Sequence, residues 1–165
     1  MKNLIMINGT IGVGKSTISR MLMSLIEPAA YLDGEWCWDV KPPQEDQKAM
    51  LDNVASLLNT YLRSDLVENI ILDWSVYDEA VMDELLTRLS GGSVKLHKFT
   101  LVCSEDELRS RLVYDITAGR RDASVVAQSV ARMPLFEKLD TTKIDVGKHD
   151  DLEVARQIAA AALNS

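Results

Sequence analysis

Eight consecutive residues, Gly9-Thr10-Ile11-Gly12-Val13-Gly14-Lys15-Ser16, constrain this chain more than anything else in it. They fit G-x-x-x-x-G-K-[ST], a loop whose backbone N–H groups converge on phosphate. The flanks agree. Leu4-Ile5-Met6-Ile7 is an apolar run of strand length, and Ile18, Met21, Leu22, Leu25 and Ile26 repeat at the spacing of a helix with one buried face. Strand, glycine loop and helix together turn a string match into a mechanism. The loop amides and the positive end of the helix dipole form an anion site. Lys15 is expected to reach the β- and γ-phosphates of ATP, and Ser16 to offer its hydroxyl to Mg²⁺. Gly9, Thr10, Ile11, Gly12, Val13, Gly14, Lys15, Ser16 and the adjoining Thr17 are the expected nucleotide-binding set.

The rest of the composition sets limits. With 165 residues, one domain over 1–165 is the natural count. A net charge of −7 argues against general nucleic-acid binding and against an anionic membrane face, while leaving room for a locally positive pocket. No apolar run approaches a membrane span, and because the first residues read as a core strand, no signal peptide is expected among them. Cys37 and Cys103 lack metal-ligand spacing and suit reduced thiols in a cytoplasmic protein.

Along the chain, strand-like and helical patterns alternate, which predicts a parallel sheet with right-handed crossovers. Ala29-Ala30-Tyr31-Leu32 reads as a strand ending at Asp33-Gly34. Ligands of such sheets bind beyond the strands' carboxyl ends, so Asp33 stands where it could accept a proton from an acceptor hydroxyl. The alternative is a turn aspartate that caps its own backbone. Trp36 and Trp38 either line an acceptor pocket or pack a lid against the core, and packing is the expectation. A helix follows from about Glu45 to Arg63, with Met50, Val54, Leu57, Leu58, Tyr61 and Leu62 on its buried face.

Ile70-Ile71-Leu72 is a second strand that ends in Asp73, which either holds Mg²⁺ or caps a helix. Ser75 to Asp78 looks like a capping box, with Val81, Leu85, Leu86 and Leu89 inward on the helix after it. A strand is expected at Lys98 to Cys103, and Ser104 with Glu107 forms a capping box for the next helix. Periodicity breaks at Asp115 to Asp122, where Arg120 and Arg121 stand side by side, and the helix beyond supplies Arg132 before Pro134. Arginines on a closing segment suit the charge that spreads over a transferring phosphoryl group. Arg120, Arg121 and Arg132 are therefore candidates within a lid at about 115–132, and Arg111, just before it, is a further candidate, expected on the nucleotide. Lys143 to Val146 is a last strand, and Gly147 to His149 could border the nucleotide base. Asp150 or Asp151 then caps a final helix with Leu152, Ala155, Ile158, Ala159 and Ala162 inward.

On these residues the sequence resembles the small P-loop kinases: the nucleoside, nucleotide, shikimate and gluconate kinases, and especially the chloramphenicol phosphotransferase-like group. The resemblance spans nearly the whole chain. It implies an α/β fold of three layers, with five parallel strands in order 2-3-1-4-5, an acceptor region over about 34–63, and the lid. It implies further that Asp33 contacts the acceptor as base or ligand and that Arg120 or Arg121 reaches the phosphates. Two features depart from relatives: there is no arginine pair for an acceptor phosphate, and Asp33 is followed by Gly34-Glu35 rather than by a second aspartate. The activity implied is transfer of the γ-phosphoryl group of ATP, with Mg²⁺, to a hydroxyl of a small molecule by a monomer or homodimer. The alternative is a P-loop hydrolase or a regulatory nucleotide-binding module; no Asn-Lys-x-Asp motif marks a guanine site.

Overall fold

The computed structural model describes residues 1–165 and has at its centre a five-stranded sheet. The strands are β1 (Lys2–Asn8), β2 (Ala29–Asp33), β3 (Asn69–Trp74), β4 (Val94–Val102) and β5 (Thr142–Asp145). Every pairing is parallel and the order is β2-β3-β1-β4-β5, as the resemblance implies. The helices between them are α1 (Lys15–Leu25), α2 (Gln47–Arg63), α3 (Glu79–Thr87), α4 (Glu105–Thr117), α5 (Val125–Glu137) and α6 (Asp151–Leu163), with a short 3-10 helix at Gly34–Cys37.

Strand alternation divides the interior into two cores. Ile5 and Ile7 of β1 point to one face, where they meet Ile18 and Leu22 of α1 and Val154 and Ile158 of α6. Leu4 and Met6 point to the other, against Leu51, Val54 and Leu58 of α2 and Leu85 of α3. A central parallel strand buried on both faces has to read as a continuous apolar run, and β1 and β3 do. The register aligns strand ends: Asp33 pairs with Asp73, and Asn8 with Trp74. The glycine loop and two aspartates thus emerge along one edge of the sheet, on the side where such sheets bind ligands.

Several elements differ in detail from the sequence expectation. α2 starts two residues late, capped by Asp46, whose Oδ1 accepts from the Ala49 N–H at 2.9 Å. Its buried stripe runs through Leu51, Val54, Ala55, Leu58, Asn59 and Leu62, which leaves Leu57 41% exposed. Asn59 shifts the stripe because it accepts the Ser90 and Gly91 N–H groups and donates to the Arg88 carbonyl. α3 begins at Glu79 with Asp78 as its cap, since Asn8 Oδ1 takes the Val76 N–H at 3.0 Å and keeps that segment extended. β4 extends back to Val94, and α5 runs through Pro134 to Glu137. On α6, Val154 faces inward and Leu152 is 39% exposed. No helix is long and apolar enough to cross a membrane.

Candidate functional site

The loop after β1 folds back over the start of α1 and lies close against α4. Gly12 and Gly14 have φ of 92° and 110°, a region costly for side chains. A Cβ on Gly12 would lie 2.4 Å from Leu112 Cδ2, and one on Gly14 would lie 3.1 Å from Arg111 Nη1. Both positions therefore admit only glycine. Gly14 caps α1 without a side chain, and the N–H groups of Gly12, Gly14, Lys15, Ser16 and Thr17 find no acceptor in the chain. A helix end left this way is an anion site in waiting. Lys15 is 8% exposed and bends back across the loop, donating to the Gly9 and Thr10 carbonyls at 2.9 and 3.0 Å. Burial pushes its ammonium down to about 8, against the pull of the Glu35 and Asp73 carboxylates.

Opposite the loop stand the ends of β2 and β3. Asp73 is 1% exposed and accepts from the Tyr31 hydroxyl at 2.8 Å. Burial, then the charge of Asp33, raises its carboxyl to about 6. Burial and Asp73 likewise push the Tyr31 phenol up. Asp33 Oδ1 accepts from the Glu35 N–H at 2.9 Å and so caps the 3-10 helix, while the carboxylate still lines the cleft. The two roles weighed from the sequence are compatible, because one oxygen serves the backbone and the other is left for a ligand. Glu35 was not anticipated: it lines the cleft and its Oε1 accepts from the Ser75 N–H at 2.9 Å. Its signal was the spacing Asp33-Gly34-Glu35 on a turn at a strand end. Trp36 overturns the packing expectation, since it is 79% exposed and forms part of the cleft wall. Trp38 does pack, donating its indole N–H to the Gln44 carbonyl at 2.8 Å.

The arginines separate by position. Arg111 lies across the loop, with Nε on Glu107 at 3.0 Å and Nη1 on the Val13 carbonyl at 3.4 Å. Arg120 and Arg121 both pair with Asp115, at 3.0 and 3.2 Å, and all three line the cleft. Arg121 is near enough to Lys15 to depress its ammonium. Arg132 is elsewhere: its guanidinium sits 5.1 Å above the Tyr77 ring, outside the cleft. Ile11, Gly12, Gly14, Lys15, Ser16 and Thr17 form the loop side of a cleft of about 850 Å³. Gly9, Thr10 and Val13 stand behind that wall: Thr10 Oγ1 donates to the Ser129 carbonyl at 2.7 Å, and Val13 is buried in the core. His149 is exposed and off the wall; Asp151 is the residue of that region on it.

Charge is sorted across the cleft. Lys15, Arg111, Arg120 and Arg121 gather around the loop and the turn after α4, where Asp115 and Asp151 partner the arginines, while Asp33 and Asp73 at the ends of β2 and β3 and Glu35 on the 3-10 helix line the other side. No group of three or more His, Cys, Asp or Glu side chains could hold a metal alone. The Ser16 hydroxyl and the Asp73 carboxylate nevertheless share the cleft. Two hard oxygen donors beside unpaired amides suit Mg²⁺ held jointly with a phosphate.

Comparison with known proteins agrees with this geometry. A family model described as an AAA domain matches residues 5–128. No curated protein sequence matches the chain. Among solved structures, the tunicamycin resistance protein of Deinococcus radiodurans is similar at 22% identity and a TM-score of 0.70, over 98% of this chain and 95% of that one. A gluconokinase from Sinorhizobium meliloti is similar at 17% identity and a TM-score of 0.70, over 99% and 92%. A shikimate kinase from Acinetobacter baumannii is similar at 16% identity and a TM-score of 0.60, over 99% and 94%. At these identities the likeness establishes the fold, which is that of the small P-loop kinases.

Proposed function

This chain belongs to the AAA domain family, and from that membership and its cleft we infer that it moves the γ-phosphoryl group of ATP to a hydroxyl of a small molecule. The observation that carries the inference is the sorting of charge: unpaired loop amides and Lys15 on one side, and Asp33, Glu35 and Asp73 on the other. Carboxylates serve a hydrolase as well, to hold Mg²⁺ or activate water; the room beside Asp33 and Trp36 in a cleft of about 850 Å³ is what favours an acceptor larger than water. Two of the structural neighbours are, by name, kinases of small molecules, which supports the same reading.

The roles follow from position. The amides of Gly12, Gly14, Lys15, Ser16 and Thr17 and the Lys15 ammonium hold the phosphates and neutralise charge as it shifts toward the leaving oxygen. Mg²⁺, held by Ser16 and Asp73, would add Lewis-acid stabilisation of the phosphoryl oxygens. The free oxygen of Asp33 accepts a hydrogen bond from the acceptor hydroxyl, and takes its proton as the O–P bond forms and ADP leaves. Arg120 and Arg121 leave Asp115 for the phosphoryl oxygens when the exposed turn between α4 and α5 closes, which also excludes water, while the rest of the segment at about 115–132 stays packed through Val125, Val126 and Ser129. Arg111 borders the nucleotide where it crosses the loop. The segment at about 34–63 supplies the acceptor side.

The test is a screen of alcohol acceptors with ATP and Mg²⁺, in which phosphorylated product is measured separately from free phosphate. Phosphorylated alcohol that disappears with Lys15→Ala supports the inference. Free phosphate alone, unaffected by any alcohol, would replace it with hydrolysis.

A further inference from the structure

A second cavity adjoins the cleft, and the function above does not account for it. It is a groove of about 440 Å³ along the outer edge of β2. Arg20 and Met23 of α1 form one wall, and Leu57 of α2 forms the other. Tyr31 and Leu32 make the floor, and Trp36 forms the rim. Two lining residues, Asp33 and Trp36, are also on the wall of the main cleft, so the two spaces meet at the carboxylate assigned to the acceptor hydroxyl.

The groove's chemistry differs from that of the cleft. Leu57 lies on α2 outside the buried stripe, and Trp36 stands 79% exposed. An apolar helix residue and an indole held toward water, beside a space of ligand size, have no stabilising role within the chain. Arg20 stacks its guanidinium 5.1 Å over the Tyr31 ring, so one cation stands on the floor while Met23, Leu32, Trp36, Cys37 and Leu57 supply the rest of the lining, beside Asp33. Away from Arg20 and Asp33 the lining offers an acceptor's hydroxyls few partners.

We propose that the groove between α1 and α2 binds the apolar portion of the acceptor, so that the substrate is an amphiphilic alcohol with its hydroxyl at Asp33 and an aryl or alkyl arm across Trp36. The proposal rests on the phosphotransfer reading. The occupant is set by continuity: a ligand whose hydroxyl reaches Asp33 has the groove as its apolar exit. A polar acceptor would stop at the cleft, and a macromolecular partner would not need an opening into the phosphate site.

The experiment uses glycerol, benzyl alcohol, phenylethanol and phenylbutanol as a matched acceptor series, with the wild type, Leu57→Glu and Met23→Glu, each checked for an unchanged thermal melt. In the wild type, kcat/KM should rise by at least about twofold per added methylene. Either glutamate should flatten that rise at unchanged ATP affinity. A slope that is flat in the wild type, or identical in the variants, overturns the proposal. The melt excludes misfolding, and two separate wall positions guard against one uninformative site. If no alcohol is phosphorylated by any form, the phosphotransfer reading is what fails. Binding of phenylbutanol, followed by saturation-transfer NMR, then decides the groove alone. Binding weakened at least about tenfold by Leu57→Glu supports an apolar-ligand site, and binding equal in wild type and variant overturns it.

Discussion

The two halves of the cleft are built in opposite ways. The phosphate half is backbone: amides at a helix start, two glycines with positive φ and a lysine folded inside the loop. The half proposed for the acceptor is side chains on a turn: Asp33, Glu35 and an exposed Trp36 after the edge strand β2. Backbone recognition is indifferent to what the phosphate is attached to, and it tolerates little substitution because Gly12 has no room for a Cβ and both Gly12 and Gly14 hold a positive φ. Side-chain recognition on an edge turn can change one residue at a time without touching the core. One half therefore fixes what is transferred, and the other is free to define the recipient.

That contrast can be broken by substitution. The largest effect is expected for Lys15→Ala, which should cut ATP-dependent turnover at least about a hundredfold while the protein stays folded, read as product formation beside a thermal melt. On the other half, Asp33→Asn should lower kcat about a hundredfold. Calorimetry should find its ATP affinity within about twofold of wild type; equal losses of both would make Asp33 a structural cap only. Asp115→Ala frees Arg120 and Arg121 from a half-buried carboxylate, so ATP should bind up to about fivefold more tightly by titration. Unchanged or weaker binding would show that Asp115 aims the arginines rather than detaining them.

The smallest effect concerns stability. Asp73 keeps its proton up to about 6 in the folded chain, against 3.8 for an ordinary aspartate. Between those pH values the native state binds more protons than the unfolded one, so stability falls as pH rises, and the cost persists above 6. Asp73→Asn cannot ionise and keeps a carbonyl for Tyr31. In chelator and without nucleotide, it should be more stable than wild type by about 1–3 kcal/mol at pH 7.5, with the gap closing near pH 4. A gap independent of pH would mean that the gain comes from packing.

The same contrast explains what could be read without coordinates. The loop was legible because Gly9–Ser16 between an apolar strand and an amphipathic helix dictates one geometry. The strand order follows from the family resemblance, and the cores from the two-sided apolar runs of β1 and β3. Trp36 and Glu35 were missed in their roles because the orientation of a turn at a sheet edge depends on what it packs against. Arg132 is equally basic in sequence, and only the tertiary stacking on Tyr77 removes it from the site. Leu57 fitted a buried helical face until Asn59 claimed that stripe for capping the Arg88–Gly91 turn.

The central claim is that backbone amides at the start of α1 hold a nucleotide's phosphates. Amide-resolved NMR, with a non-hydrolysable ATP analogue and Mg²⁺ titrated in, tests it directly. The N–H signals of Gly12, Gly14, Lys15, Ser16 and Thr17 should move together, at one shared dissociation constant, and further than any others in the chain. If those signals stayed still while others saturated, the loop would not be the phosphate site and the phosphotransferase assignment would fall.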